Sequence, residues 1–151
     1  MHRGVFLFIP LSCVATFFIN QFPSADAQTC GRDGVAVQVL GSGGPELEDK
    51  RASSSYLVWQ DGQARVLVDT GGGSALRFGE SGAKMSQLDA ILFSHYHVDH
   101  SADFPVLIFS SWFEERDRPL PVYGPGGNSF FPSTVDFVRG FFNDRSGVYV
   151  I

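Results

Sequence analysis

This chain is poor in cysteine, in lysine and in late histidine. Its two cysteines are Cys13 and Cys30, so no disulfide framework is on offer. Lysine occurs only at Lys50 and Lys84, and 11 basic side chains face 16 acidic ones for a net charge of −5. A mildly acidic surface repels phosphate backbones. After His100 there are no lysines, four arginines and six acids, a poor electrostatic footprint for RNA, so nucleic acid is not expected among the partners. The glycine-rich loop from Gly41 to Lys50 lacks a following Gly-Lys-Ser/Thr and carries Glu46, Glu48 and Asp49 instead. It reads as a turn and not as a phosphate cradle. The longest apolar run, Gly4 to Ile19, is about 16 residues with a proline at position 10, short of the roughly 20 that a bilayer span needs. Repeats, low-complexity tracts and internal linkers are absent.

That apolar run has another reading. Arg3 precedes it, Asn20 to Asp26 turns polar, and Ala25-Asp26-Ala27 puts small residues where a signal peptidase reads. Residues 1–27 are expected to be a secretory signal cleaved before Gln28, giving a secreted or periplasmic product with no stable membrane span. Cleavage removes one charge of each sign, Arg3 and Asp26, and leaves Cys30 as the single thiol.

What the chain does have is Phe93-Ser94-His95-Tyr96-His97-Val98-Asp99-His100, three imidazoles and a carboxylate in six positions behind the apolar run Leu88 to Phe93. Imidazole nitrogens and carboxylate oxygens suit zinc and neighbouring first-row metals. In an extended segment residues two apart share a side, so His95 and His97 can face one ion. Asp99 and His100 follow a turn and begin a second site.

His95-x-His97-x-Asp99-His100 resembles the signature of the metallo-β-lactamase superfamily. The resemblance extends upstream through Leu40-Gly41-Ser42-Gly43-Gly44-Pro45, Arg51 to Val58, and Leu67-Val68-Asp69-Thr70-Gly71-Gly72-Gly73, in the order of the tRNase Z-like branch. His100-Ser101-Ala102-Asp103-Phe104-Pro105 looks closest to secreted arylsulfatase-type members. The resemblance implies an α/β fold, the N-terminal half of an αβ/βα sandwich over residues 28–151. It implies two zinc ions per complete domain, with manganese or iron left open, roughly 3.5 to 4 Å apart and sharing a nucleophilic hydroxide. His95 and His97 would bind one, Asp99 and His100 the other, with later histidines and an aspartate completing both. Asp99 would also take a proton from the water, and Asp69 would support the metal loop by hydrogen bonding.

No histidine occurs in the 51 residues after His100, so four of roughly seven ligands are present, and the final Val148-Tyr149-Val150-Ile151 reads as a strand cut midway. The expectation is an N-terminal portion of a longer enzyme, with association into a homo-oligomer left open.

Period and turn signals give strands over 35–40, 54–60, 65–69, 88–93 and 121–123, with Asp61-Gly62 as a hairpin turn. Helices are expected over 74–79, from Asp103 or Phe104 to Glu115, and over 132–142. Phe130, Phe131, Phe137, Phe141 and Phe142 read as core. The leading functional expectation is an exported dinuclear zinc hydrolase acting on a small-molecule phosphate or sulfate ester. A tRNase Z-type 3′ endoribonuclease and a catalytically inert truncated domain stand as alternatives.

Overall fold

The computed structural model describes residues 33–149. The leader expected over residues 1–27 lies outside the described residues. Five strands make one sheet in the order β1 (Val35–Gly41), β2 (Ser55–Gln60), β3 (Gln63–Val68), β4 (Ala90–Leu92) and β5 (Val122–Tyr123). β1, β2 and β3 form an antiparallel meander, and β3, β4 and β5 run parallel. Asp61 (φ 49°) and Gly62 (φ 75°) both take the left-handed conformation in the β2–β3 turn, which is what a two-residue hairpin loop with the strands' own twist requires. Parallel neighbours need crossovers. Helix α1 (Ser74–Glu80) makes the first, and α2 (Val98–Ser101) with α3 (Phe104–Ser110) the second; α4 (Thr134–Phe142) follows β5.

The two faces of the sheet differ sharply. Leu57, Trp59, Ala64, Leu67 and Ile91 project to one face and are buried with Phe78, Met85, Leu88, Phe104 and Leu107. Each fully buried Leu, Ile or Phe there contributes roughly 1.5–3 kcal/mol. The opposite face presents Tyr56, Val58, Val66, Val68 and Leu92 by strand alternation, continued on the edge strand by Val35, Val37 and Val39, which are 72%, 60% and 57% exposed. That face is apolar and largely uncovered by the described residues.

Expected and observed elements agree closely, apart from the unexpected short helix α2 in the metal loop and three further departures. The strand over 88–93 is confined to Ala90–Leu92, and a 3-10 turn (Met85–Gln87) precedes it. The helix expected to reach Glu115 ends at Ser110, followed by a 3-10 turn over Ser111–Phe113. Val148 and Tyr149 are not in a strand: their amides donate to Gly140 O and Phe141 O and fold the segment back on α4. Phe131, Phe137, Phe141 and Phe142 pack on the core as expected. Phe130 does not, being 87% exposed. Among the described residues no helix is long and apolar enough to cross a membrane.

Candidate metal centre

The candidate site sits at the carboxyl ends of the parallel strands β3 and β4, where open α/β sheets leave a crevice. β3 ends at Val68, and Asp69 turns the chain with φ 57°, a left-handed conformation that Asp tolerates better than most residues. Its amide donates to Leu92 O at 2.8 Å, and its carbonyl accepts from the buried Ser55 hydroxyl at 2.9 Å. Thr70 then locks the turn onto the metal loop, donating to His100 O and accepting from Asp103 N, both at 2.8 Å. Gly71 has to be glycine: a Cβ there would collide with the Asp99 carbonyl and lie 2.7 Å from Ser53 Cβ. At that position the glycine run lets the backbone pass close to the histidine loop. The Asp103 carboxylate, which the sequence reading passed over, accepts from Ala75 N at 2.9 Å and fixes the start of α1 against the site.

Beyond β4 the chain bends at Ser94, reaches His97 in an extended conformation (φ −63°, ψ 153°) and then coils into α2. Alternation places Tyr96 inward and His95 and His97 together on the other side. Tyr96 stacks on Phe137 with ring centroids 4.2 Å apart, and its hydroxyl donates to Thr134 Oγ1 at 2.6 Å. Burial raises the Tyr96 phenol above its ordinary pKa, with the Thr134 hydrogen bond opposing. This anchor holds the backbone rigid between the two histidines.

His95 Nε2 and His97 Nδ1 lie 3.0 Å apart. His100 Nε2 lies 3.4 Å from Asp99 Oδ2. Two ligands on one tetrahedral zinc, at about 2.0–2.1 Å from it, stand about 3.3 Å apart. Both pairs therefore have the separation that two ligands of one ion need, and they are the pairs the motif spacing suggested. In two of the three histidines the other ring nitrogen is already committed. His100 Nδ1 is 2.8 Å from Asp69 Oδ2, and His95 Nδ1 is 3.1 Å from Ser94 Oγ. With those nitrogens protonated and donating, the Nε2 lone pairs of His95 and His100 face outward for ligation. Imidazole with carboxylate suits zinc, iron or manganese. Among the described residues no group of three or more His, Cys, Asp or Glu side chains is placed to hold an ion. The arrangement is two pairs, not one closed site.

Asp69 is the hub. It is 3% exposed, and besides His100 it accepts from Ser94 N at 2.8 Å and from Ser94 Oγ at 2.8 Å. The sequence reading gave Ser94 no role. Ser94 links Asp69 to His95 and sits 3.3 Å from His100 Nδ1, and its position between a strand end and the first histidine was the available signal.

The family described as the metallo-beta-lactamase superfamily matches residues 49–139, spanning Asp69, the glycines 71–73 and the whole histidine loop. The chain belongs to the metallo-β-lactamase superfamily. Its α/β fold accords with this membership. The ribonuclease Z of Mycolicibacterium gilvum is 37% identical over 98 residues, covering 63% of this chain and 34% of the relative. The ribonuclease Z of Mycobacterium marinum is 36% identical over 105 residues, covering 68% and 36%. The chain thus spans about a third of the length of the curated relatives it matches. Among solved structures, the metallo-β-lactamase-fold protein YhfI of Bacillus subtilis superposes with a TM-score of 0.58 at 27% identity, covering 79% of this chain and 48% of that one. The short form of human tRNase Z gives 0.56 at 26%, covering 68% and 37%.

These relatives correct two expectations. The leading one, an exported hydrolase of small phosphate or sulfate esters, gives way to the ribonuclease alternative, because the matched relatives are named ribonuclease Z. The expectation that nucleic acid is not a partner falls with it. It rested on net charge, which averages over a surface, whereas RNA contact depends on local patches. It also weighed a chain that matches only about a third of its relatives' length.

Proposed function

We propose that this chain carries the metal-loop part of a ribonuclease Z-type hydrolase that cuts a phosphodiester bond in RNA, the 3′ extension of a tRNA precursor being the substrate. The observation that carries the reading is the pair of donor separations, His95 Nε2 to His97 Nδ1 at 3.0 Å and His100 Nε2 to Asp99 Oδ2 at 3.4 Å, in a chain with ribonuclease Z relatives. His95 and His97 would hold one zinc ion and Asp99 with His100 the other. When bound, the ions supply a nucleophile at neutral pH and absorb charge on the phosphoryl oxygens.

The chain's own residues have separate tasks. Asp69 and Ser94 hold the imidazoles of His100 and His95 in the tautomers that leave Nε2 free. Tyr96 keeps His95 and His97 on one side. Asp99, beside His100, would accept a proton from water. Each ion takes at least one further protein ligand in a working zinc site, and no histidine follows His100 in this chain.

The test is fluorescence anisotropy with a labelled tRNA precursor bearing an unpaired 3′ extension. Zinc should strengthen binding, and His97→Ala should remove that zinc effect. A chain that fails to retain the precursor with zinc present refutes the RNA reading.

A further inference from the structure

The segment between β5 and α4 is built to present one aromatic ring outward beside the histidine loop. Asn128 closes it: its amide donates to Phe131 O at 2.9 Å, and its Oδ1 accepts from Phe130 N at 2.8 Å and from Phe131 N at 3.0 Å. Gly127, at φ 87°, brings the backbone so close to Ser133 N that a Cβ would lie 2.6 Å from it. Thr134 N and Thr134 Oγ1 both donate to Pro125 O, and the same hydroxyl receives the Tyr96 phenol. The far end of the loop is thereby pinned to the residue between the two histidines.

The two phenylalanines at its tip are divided. Phe131 turns inward and meets the His97 ring edge to face, with centroids 4.9 Å apart. Phe130, its neighbour, is 87% exposed. A large apolar side chain held in water by a tied backbone, one residue from a ring that touches a candidate ligand, is placed to meet what enters the site. Charge argues for the same kind of contact, since four of the described arginines are already paired. Arg51, Arg77 and Arg118 pair with Asp49, Glu80 and Asp89 at 3.0, 2.7 and 2.6 Å, and Arg116 donates to the carbonyls of Met85, Ser86 and Pro119. Arginines already paired at the surface give phosphates a weaker grip, whereas every nucleobase has a π face that an aromatic ring can stack on, whatever the charge.

We propose that Phe130 is a stacking surface for an unpaired nucleobase of the RNA, next to the histidine loop. The proposal rests on the RNA reading above and adds the residue and the mode of contact. Phe131 is a positioning residue that fixes the His97 ring, and Phe130 binds the base.

The test uses the chain in EDTA, so that no metal contributes a grip on phosphate. The probes are a fluorescein-labelled oligoadenylate and an abasic oligomer with the same phosphodiester backbone. Phe130→Ala should weaken oligoadenylate binding about five- to 150-fold, and Phe130→Tyr, which keeps a ring, should stay near the parent. Abasic binding should be the same in all three proteins. In Phe130→Trp the new indole emission should be quenched by oligoadenylate and not by the abasic oligomer, a signature that a merely structural side chain would not give. Parent-like oligoadenylate binding by Phe130→Ala overturns the proposal. So does equal weakening toward both probes, or a parent chain that holds no oligoadenylate. In that last case zinc-dependent binding of the tRNA precursor still decides the RNA reading on its own.

Discussion

Replacing Asp69 by asparagine isolates the charge of the hub from its shape. Asparagine tolerates the left-handed backbone at φ 57° about as well as aspartate does, so the turn after β3 should survive. Oδ1 still accepts from Ser94 N. At the other position an NH2 replaces the oxygen that now takes the Ser94 hydroxyl and His100 Nδ1, each at 2.8 Å. The Ser94 hydroxyl can rotate and accept instead, so its bond is reversed and not lost. His100 has no such freedom without changing tautomer. To accept from the new NH2 it must move its proton to Nε2, the nitrogen that faces Asp99, and a protonated Nε2 cannot ligate. One charge-assisted hydrogen bond is lost in a buried place, which costs about 1.5–3 kcal/mol. Loss of the partner that orients a metal-binding histidine lowers metal affinity by about 10- to 100-fold. Urea unfolding in EDTA reads the first effect, and zinc competition against a chromophoric chelator reads the second. Asp69→Ala should be worse than Asp69→Asn by about a further 1–2 kcal/mol, because alanine is strained at positive φ. An Asp69→Asn protein with unchanged unfolding and unchanged zinc affinity would refute the hub argument.

Gly71→Ala forces a Cβ onto the Asp99 carbonyl and should destabilise by about 1–3 kcal/mol or more, seen as an earlier urea midpoint together with weaker zinc uptake. Tyr96→Phe should cost about 0.5–1.5 kcal/mol for the lost bond to Thr134. Its pH signature has a definite sign. Burial raises the folded phenol above the unfolded value, so the tyrosine's contribution is whole below about pH 10 and is lost as pH rises through the folded value. Unfolding midpoints should therefore fall less steeply above pH 10 in the phenylalanine variant. Leu57→Ala, on the buried sheet face, should cost about 2–5 kcal/mol, whereas Val37→Ala on the open face should change stability by no more than about 0.5 kcal/mol. Equal losses at the two positions in chemical denaturation would contradict the one-sided core.

Much of this was legible in the sequence because the informative signals are local. Asp61-Gly62 fixes a hairpin by backbone sterics alone, and the alternation His95, Tyr96, His97 fixes which side each ring takes. Asp69 stood out as an acid at a strand end before three glycines, a position that only a turn can occupy. What escaped depends on contacts far apart in the chain. Ser94 shows no role until the ends of β3 and β4 are side by side. Asp103 reaches α1 across 28 residues, and Tyr96 meets Thr134 across 38. Phe130 carries the same apolar label as Phe131, and only the Asn128-closed turn separates their fates. The substrate class was misjudged for a different reason: the His100–Pro105 likeness and the expected leader favoured secreted esterases, and net charge is a global average whereas RNA contact is set by a local surface.

The most direct test of the account follows the ring nitrogens of the histidines by long-range proton–nitrogen NMR during a zinc titration of the metal-free chain. The account predicts that His95 Nε2 and His97 Nδ1 shift together as one ion binds. It predicts that His100 responds at Nε2 while its Nδ1 keeps the proton held by Asp69. Ligation of His100 through Nδ1, or zinc binding that leaves His95 and His97 unmoved, would contradict it.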